Sequence, residues 1–271
     1  MTTQKQVALV TGASTGIGKA AALVLVEAGF EVVGTSRRAS AVAQSDGVTM
    51  LDLDVTSDES VSTLVRCVIE RFGRLDVLVN NAGTGAAGAG EESSVAQTQR
   101  IFDINFFGAV RMTKAVLPHM RAQGRGRIIN ISSVLGLVPA PYMATYAATK
   151  HAIEGYSESV DHEVRQHGVR VLLVEPAYTK TSFDANAVQP DAPLPIYAQQ
   201  RQVFDRVLAT AMESGDDPAT VAQSILAAAT DPKPKLRYTA GSTARRVSAL
   251  RRYVPARAFD RQIRKLNHLP A

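Results

Sequence analysis

An apolar run meets a glycine-rich turn near the start of the chain, in the stretch Val7-Ala8-Leu9-Val10-Thr11-Gly12-Ala13-Ser14-Thr15-Gly16-Ile17-Gly18. Four consecutive apolar residues are typical of a strand buried on both faces of a parallel sheet. The run Lys19 to Ala28 has a helical pattern and stops at Gly29, so we expect strand, turn and helix in that order. Such a turn can hold a pyrophosphate, because glycines let the backbone approach it and the helix N-terminus offers unpaired N–H groups. A tight turn that binds nothing is the alternative.

The same alternation of strand and helix patterns continues along the chain. Further strand patterns lie at Glu31 to Thr35, Val48 to Leu53, Leu75 to Val79, Arg127 to Ile131, Val169 to Val174 and Lys235 to Ala240. Helical patterns lie between them, at Asp58 to Phe72, Ser94 to Gln123, Thr145 to Gln166 and Ile196 to Glu213. This alternation predicts an α/β fold with a doubly wound, parallel, seven-stranded sheet of the Rossmann type. Because no linker-like break divides the chain, we expect residues 1–271 to form a single domain.

Composition narrows the class of protein. The 271 residues are 45% hydrophobic and 20% charged, as in ordinary soluble globular proteins. The single cysteine, Cys67, excludes an internal disulfide and any cysteine-based metal cluster, so we expect a cytoplasmic protein without a metal site. The short polar segment Met1 to Gln6 leaves no room for a signal peptide, and no apolar run approaches the length of about 18 residues that a membrane span needs.

Residues just after the second strand pattern bear on the choice of cofactor. A protein that binds NAD usually places Asp or Glu there for the ribose 2′-hydroxyl, whereas this chain has Ser36-Arg37-Arg38. A carboxylate would repel a 2′-phosphate, and a guanidinium can hold it with two hydrogen bonds. The sequence therefore favours NADP(H) over NAD(H), with Arg37 as the first expected contact and Arg38 as the second. Two arginines on a solvated sheet edge are the alternative.

A tyrosine and a lysine stand four residues apart in the predicted helix from Thr145 to Gln166. Residues at this spacing share one helix face, so the Lys150 ammonium can stand near the Tyr146 ring. The ordinary pKa of a tyrosine is about 10, and a nearby positive charge lowers it because it favours the phenolate. Tyr146 could then act as general acid or base. Ser133, on the loop after a strand, could hydrogen-bond the same reacting oxygen. A solvated lysine beside a half-buried tyrosine is the alternative.

Asn105 lies in the middle of the long helical pattern from Ser94 to Gln123. Asparagine has poor helix propensity because its side chain competes for backbone hydrogen bonds. We expect either a local bend, which frees a carbonyl to hold a water beside Lys150, or an exposed or interface asparagine.

Taken together, these residues resemble the short-chain dehydrogenase/reductase family, in its shorter single-domain branch. The matching motifs run from about Val7 to Thr181, and they are Thr11-Gly-x-x-x-Gly16-x-Gly18, Asp54-Val55, Asn80-Asn81-Ala82-Gly83, Asn105, Ser133 and Tyr146-x-x-x-Lys150. One departure is Pro176-Ala177, where the family usually has Pro-Gly. Because alanine lacks the freedom of glycine at positive φ, we expect a slightly different backbone there.

The resemblance implies a hydride-transferring enzyme and a set of site residues. Tyr146 would exchange the substrate proton, Ser133 would orient the reacting oxygen, Lys150 would bind the nicotinamide ribose, and Asn105 would complete a proton relay. Asp54 would meet the adenine, Asn81 would position the cofactor, and Thr181 would contact the carboxamide. The full set of expected cofactor contacts is Gly12, Ser14, Thr15, Gly16, Ile17, Gly18, Arg37, Arg38, Asp54, Val55, Asn81, Ala82, Gly83, Tyr146, Lys150, Pro176 and Thr181.

The last third of the chain is expected to set substrate specificity. Residues 178–218 form an insertion between strand patterns, and such insertions commonly close over a substrate. Expected lining residues are Leu135, Met143, Tyr178 and Phe183, whose apolar character favours a lipophilic alcohol or ketone. The overall pattern is most similar to the 17β-hydroxysteroid- and retinol-dehydrogenase-like members of the family. In the extension 241–271, arginines alternate with apolar residues. This extension could contact anionic lipid, cover the substrate site, or form a solvated helix pair.

Partners follow from the same observations. A small-molecule substrate is expected, and nucleic acid is not, because no recognition motif accompanies the basic charge. The resemblance implies a homodimer or homotetramer, formed through the long helices that bear Asn105 and Tyr146. A non-catalytic NADP(H)-sensing protein on the same fold is the competing hypothesis, and the joint presence of Ser133, Tyr146, Lys150 and Asn105 argues against it.

Overall fold

The computed structural model describes residues 4–41, 47–183 and 186–269. Their strands are β1 Val7–Val10, β2 Glu31–Ser36, β3 Val48–Asp52, β4 Val77–Asn80, β5 Gly126–Ile131, β6 Val169–Pro176 and β7 Arg237–Ala240. Their α-helices are α1 Gly16–Glu27, α2 Asp58–Phe72, α3 Val95–Phe102, α4 Gly108–Ala122, α5 Ala144–Val164, α6 Ala198–Glu213, α7 Pro218–Thr230, α8 Gly241–Tyr253 and α9 Ala256–Leu266. A π-helical turn, Asp103–Phe107, joins α3 to α4.

The seven strands form one parallel sheet in the order β3-β2-β1-β4-β5-β6-β7. The predicted α/β, doubly wound, seven-stranded fold is therefore confirmed. The chain leaves β1 toward one edge and returns through β4 toward the other, so the order reverses between these two strands. Ligands bind at the carboxyl ends of strands where such a reversal opens a crevice. The turn after β1 and the segment after β4 therefore lie side by side at this place.

The alternation of side chains along the strands divides the core between the two faces of the sheet. In β1, Ala8 and Val10 pack toward α1 and α7, whereas Val7 and Leu9 pack toward α2 and α4. All four residues of β1 are buried, as the apolar run predicts. The position of the glycine turn is therefore fixed by a strand that is covered on both sides.

The residues at the two ends of helix α2 explain where this helix begins and ends. It begins at Asp58, where Ser57 accepts a hydrogen bond from the backbone N–H of Ser60, and it ends at Gly73 in the left-handed conformation. Helix α1 is different, because its N-cap residue, Thr15, makes no side-chain capping bond. The N–H groups of its first turn are therefore not occupied by an N-cap side chain.

The predicted helix from Ser94 to Gln123 is interrupted rather than continuous. The π-helical turn follows α3, and the N–H of Gly108 donates to the carbonyl of Asp103. Most other predicted elements differ from the observed ones only by one or two residues at their ends. No helix in the described part of the chain is long and apolar enough to cross a membrane.

Candidate active site

A cavity of about 1140 Å³ lies at the carboxyl ends of the strands. It brings together most of the residues that the sequence singles out. These are Gly12, Ser14, Thr15, Gly16, Ile17, Arg37, Asp54, Val55, Asn81, Ala82, Gly83, Ser133, Leu135, Met143, Tyr146, Lys150, Pro176, Tyr178, Thr181 and Phe183. Three expected site residues, Gly18, Arg38 and Asn105, do not line it. The expected contact to Arg38 lacks support here, because its exposed side chain lies outside the cavity.

The glycine turn is tied to the end of β4 by Asn81. The Asn81 Nδ2 donates to the backbone oxygens of Thr11 (2.9 Å) and Gly12 (3.1 Å), and the Thr11 hydroxyl accepts from the N–H groups of Asn81 and Ala82. Gly18 packs so closely on this arrangement that a Cβ there would overlap the Gly12 oxygen and the Asn81 amide. The Gly18 position is thus a packing position behind the turn, and its closeness keeps the turn against α1.

The end of β2 and the segment after β3 form the outer wall of this part of the cavity. Asp54 accepts hydrogen bonds from the hydroxyl (2.7 Å) and N–H (2.9 Å) of Thr56. These bonds, with a smaller contribution from the positive charges of Arg37 and Arg111, lower the pKa of the Asp54 carboxyl from its ordinary value. Arg37 therefore stands close enough to Asp54 to influence its pKa, and both residues line the cavity.

Tyr146 and Lys150 occupy the middle of the cavity wall on α5. Both are buried, and the Lys150 Nζ lies 5.5 Å from the centroid of the Tyr146 ring. The Nζ also donates to the carbonyl of Ile131, at the end of β5, over 2.8 Å. Burial lowers the pKa of Lys150 to about 8, and the negative charge of Glu154 opposes this effect. The lysine is thus held in place beside the phenol with its charge only weakly hydrated.

Ser133 lies on the loop between β5 and α5, at the same wall. Its Oγ accepts a hydrogen bond from the N–H of Leu135 over 3.1 Å, which fixes the direction of the side chain. As a hydroxyl it still has a proton to donate. Ser133 can therefore contact a polar atom that reaches the middle of the cavity.

Asn105 lies in the π-helical turn, behind the cavity wall. It is 5% exposed, so the exposed-asparagine alternative is wrong. Its Oδ1 accepts from the N–H of Thr84 (2.8 Å), and its Nδ2 donates to the Thr84 oxygen (2.9 Å) and the Thr149 hydroxyl (3.3 Å). These bonds fasten the segment after β4 to α5. The π-helical turn lies where the sequence predicts a bend. The Asn105 side chain itself links two segments by hydrogen bonds.

A second polar cluster lies beneath Lys150 and was not predicted. The Arg237 guanidinium of β7 binds Glu154 (3.0 Å) and Glu158 (3.1 Å) of α5, and its Nε lies 3.3 Å from Glu175 at the end of β6. Glu175 is completely buried, and neither of its oxygens has a hydrogen-bond partner among the described residues. Burial, reinforced by the charge of Glu154, raises the pKa of Glu175 to about 7.

The other end of the cavity is apolar and is closed by two separate parts of the chain. We call these parts the cap, which consists of residues 186–213 and of helices α8 and α9. The cap contributes lining residues to the cavity from α6, α8 and α9, most of them apolar: Phe204, Val207, Leu208, Ala211, Val247, Leu250, Phe259, Ile263 and Leu266. The extension therefore covers the cavity with its apolar side, as one of the three sequence hypotheses states.

Glu92 attaches the cap to the segment before α3, and no sequence pattern predicted this role. This buried carboxylate binds the guanidinium of Arg201 in α6 and accepts hydrogen bonds from the N–H groups of Leu194 (2.7 Å) and Ala89 (3.1 Å). A nearby contact supports it, because the Ser94 hydroxyl donates to Asp191 over 2.6 Å. Only the folded topology brings these partners together.

The backbone at Ala177 does not need the conformational freedom of glycine. Among the described residues other than glycine, only Tyr142 and His268 have positive φ. Ala177 thus adopts a conformation open to any residue, and Pro176, Ala177 and Thr181 all line the cavity.

The sequence profile of the short chain dehydrogenase family matches residues 6–192. Among the curated relatives, a 3-ketodihydrosphingosine reductase of Bacteroides thetaiotaomicron is 46% identical over 183 residues, which are 68% of this chain and 67% of that protein. Human retinol dehydrogenase 8 is 42% identical over 188 residues, which are 65% of this chain and 60% of the human protein.

Solved structures extend the likeness to the whole chain. A short-chain dehydrogenase of Streptomyces avermitilis covers 99% of both chains at 36% identity, with a TM-score of 0.85. ElxO with NADP bound covers 87% of this chain and 97% of its own at 28% identity, with a TM-score of 0.73. A short chain dehydrogenase/reductase of Burkholderia phymatum in complex with NAD covers 96% and 95% at 28% identity, with a TM-score of 0.78. The chain is an oxidoreductase of the short-chain dehydrogenase/reductase family.

Proposed function

We propose that this oxidoreductase transfers hydride between NADP(H) and a lipophilic alcohol or its carbonyl partner, with Tyr146 as the general acid and base. The observation that supports the proposal is the position of Tyr146 between two chemically different ends of one cavity. On one side its ring lies 5.5 Å from the Lys150 ammonium, and on the other its centroid lies 5.9 Å from that of Phe183. A reacting oxygen at this place would meet a proton donor, and its carbon substituents would meet an apolar wall.

The polar end of the cavity fits a dinucleotide. The first turn of α1 offers N–H groups without a side-chain cap, and the glycine turn leaves room for a pyrophosphate beside them. Gly16 has φ +55°, a conformation that suits glycine, and a Cβ there would press on Thr181 across the cavity. A bound nicotinamide cofactor would supply or accept the hydride.

The chain's own residues would handle the proton. In the reducing direction the Tyr146 hydroxyl donates its proton to the substrate oxygen, while Ser133 Oγ hydrogen-bonds the same oxygen and holds it in place. Lys150 stabilises the resulting phenolate and binds the nicotinamide ribose. Asn81 and Asp54 position the cofactor through the turn and the adenine. The role of Asn105 is to hold the π-helical turn, whose backbone would carry the proton relay.

The preference for NADP(H) rests on the end of β2. Relatives of similar identity bind NADP in one case and NAD in another, so the local residues decide. Residues 36–38 include no carboxylate, and the Arg37 side chain lines the cavity. We expect Arg37→Ala to weaken NADPH binding by about ten- to a hundredfold, because a charge-assisted hydrogen bond is lost, and to change NADH binding little. Fluorescence titration measures both affinities; Arg38→Ala is the control, and equal losses for NADPH and NADH would contradict the assignment.

The substrate proposal rests on the lining of the other end. Leu135, Met143, Tyr178 and Phe183 line the cavity together with the apolar side chains of the cap. The two curated relatives described above are named for retinol and for 3-ketodihydrosphingosine, both lipophilic molecules. We further propose that the residues 178–218 act as a lid, and that the protein is a homodimer or homotetramer through the helices that carry Asn105 and Tyr146.

The reaction is tested by Tyr146→Phe. With NADPH and a panel of lipophilic ketones and aldehydes, we expect the absorbance of NADPH to fall with the native protein and about 10² to 10⁴ times more slowly with the variant. NADPH affinity should change little, because the ring remains in place.

Tyr156→Phe is a matched control on the same helix. Tyr156 packs against Phe106 (ring centroids 5.8 Å apart) and does not line the cavity, so its variant should keep full activity. Undiminished turnover in Tyr146→Phe would refute the acid–base role. Tight NADPH binding with no turnover on any substrate would instead favour the NADP(H)-sensing hypothesis.

A further inference from the structure

Positive charge is concentrated in the last part of the chain. Residues 241–271 contain eight Lys and Arg and one acid, Asp260, which is a net charge of +7. Because the whole chain carries +5, residues 1–240 carry −2. A charge separation of this size produces a positive field at one end of the molecule. The end concerned is the one formed by α8 and α9.

The basic side chains of this segment face solvent rather than acidic partners. Arg245, Arg246, Arg251, Arg252, Arg257, Arg261 and Lys265 are exposed and do not line the cavity. None of these seven takes part in an ion pair within 4.0 Å in the described part of the chain. Exposed cations that make no ion pair within the chain are suited to bind external anions.

Large apolar side chains are exposed on the same two helices. Tyr253 is 76% exposed, Leu266 57% and Leu250 48%. Leu250 and Leu266 line the cavity as well, so they lie at its rim. Ile196, 82% exposed, precedes α6, and that helix reaches α9 through a hydrogen bond from Gln200 to the Asn267 oxygen (3.1 Å). Exposed apolar groups and unpaired cations thus share one part of the surface, at the rim of the cavity.

We propose that α8 and α9 dock the protein on an anionic phospholipid surface. The arginines would bind lipid phosphates, and Leu250, Tyr253 and Leu266 would enter the headgroup region. This combination of basic and apolar side chains on short amphipathic helices is typical of interfacial binding. A soluble polyanion such as RNA would use the charges but would leave the aliphatic side chains in water, so lipid fits the surface better.

The position of the surface also suggests what docking achieves. The helices that would contact lipid are the helices that close the apolar end of the cavity through Val247, Phe259 and Ile263. A lipophilic substrate dissolved in the bilayer could then enter between them without crossing water. This second step rests on the proposed function, whereas docking itself does not.

Docking is tested with the full chain and vesicles, without any substrate. We expect the protein to sediment with phosphatidylcholine–phosphatidylglycerol vesicles, to stay in solution with phosphatidylcholine alone, and to dissociate as salt rises, because exposed charges are screened. The variant Arg245→Gln/Arg252→Gln/Arg257→Gln should lose at least tenfold in affinity for the mixed vesicles. Tyr253→Ser should weaken binding severalfold with no change in net charge.

The matched control removes three exposed arginines elsewhere, as Arg66→Gln/Arg71→Gln/Arg121→Gln. It makes the same change in net charge and should bind the mixed vesicles far better than the α8–α9 triple variant. Absence of binding by the native chain, or equal losses in both triple variants, would overturn the proposal. Binding of an oligonucleotide as tight as that of vesicles, with no effect of Tyr253→Ser on either, would identify a general polyanion surface and also overturn it. A failure of the proposed reaction would leave these vesicle results unchanged.

Discussion

The two ends of the cavity are built in different ways. At the cofactor end, the turn after β1 follows a strand with four buried residues, precedes a helix with five, and is tied by Asn81 to the end of β4. At the cap, α6 buries one residue, Phe204, α8 buries only Ala244, and α9 buries none. A close-packed layer tolerates little change, whereas helices held by a few contacts can change or open. The cofactor end is therefore rigid, and the cap is the part that can adapt to a substrate.

The largest effect should come from filling the space behind the glycine turn. In Gly18→Ala the new Cβ would overlap the Gly12 oxygen and the Asn81 amide, so the turn or α1 must move. We expect a loss of about 3 kcal/mol in the free energy of unfolding, typical of severe overpacking, and a loss on the order of a hundredfold in NADPH affinity. Urea denaturation and fluorescence titration measure the two quantities.

Gly155→Ala is the matched control for this change. Gly155 lies in α5, has an ordinary helical φ, and has no atom near its Cβ position. Its replacement should stabilise the protein by roughly 0.5 to 1 kcal/mol, as expected for glycine in a helix interior. If Gly18→Ala behaved like Gly155→Ala, the cofactor end would be far more tolerant than its packing indicates.

Beside the cavity wall, at the residue before Pro176, the buried Glu175 should make the stability of the protein depend on pH. Its pKa is raised from 4.5 to about 7, so the folded protein binds this proton more tightly than the unfolded chain. The contribution of Glu175 to stability is therefore present below about pH 4.5 and is lost as pH rises to about 7. Relative to the native protein, Glu175→Gln should gain stability over this range, by up to about 3 kcal/mol above pH 7.

Denaturation curves of both proteins at several pH values test this prediction. The control is Glu158→Gln, which removes a half-exposed carboxylate from the same arginine, Arg237, and should change stability by less than about 1 kcal/mol at every pH. A constant difference between Glu175→Gln and the native protein from pH 4.5 to pH 8 would mean that Glu175 is ionised throughout.

The contrast between the two ends also explains what the sequence could predict. The alternation of strands and helices, the glycine turn and the bounds of α2 depend on residues close together in the chain, so local patterns were sufficient for them. The cavity also gathers most of the motif residues of the family, and several of them, such as Gly12, Asn81 and Ser133, follow the carboxyl ends of strands. Glu92 could not be found in this way, since its partners Leu194 and Arg201 are about a hundred residues away. Asn105 carried a signal, its poor helix propensity, but its partner Thr84 follows from topology alone.

The smallest and most local effect should come from Glu92→Gln, because the cap contributes little to the core. The amide keeps the shape of the side chain but loses the charge that binds Arg201, and only one of its two polar atoms can accept the N–H groups of Ala89 and Leu194. We expect the opening free energy of the cap to fall by about 1 to 3 kcal/mol, with little change in global stability. Limited proteolysis within 186–197 should accelerate at least about fivefold, and the KM for a lipophilic substrate should rise while NADPH affinity stays constant. Glu91→Gln is the control, since exposed Glu91 accepts a hydrogen bond from the Tyr197 hydroxyl of the cap, and an amide oxygen can still accept it. Equal proteolysis of both variants, or a fall in NADPH affinity in Glu92→Gln, would show that the cap and the cofactor end are not separable.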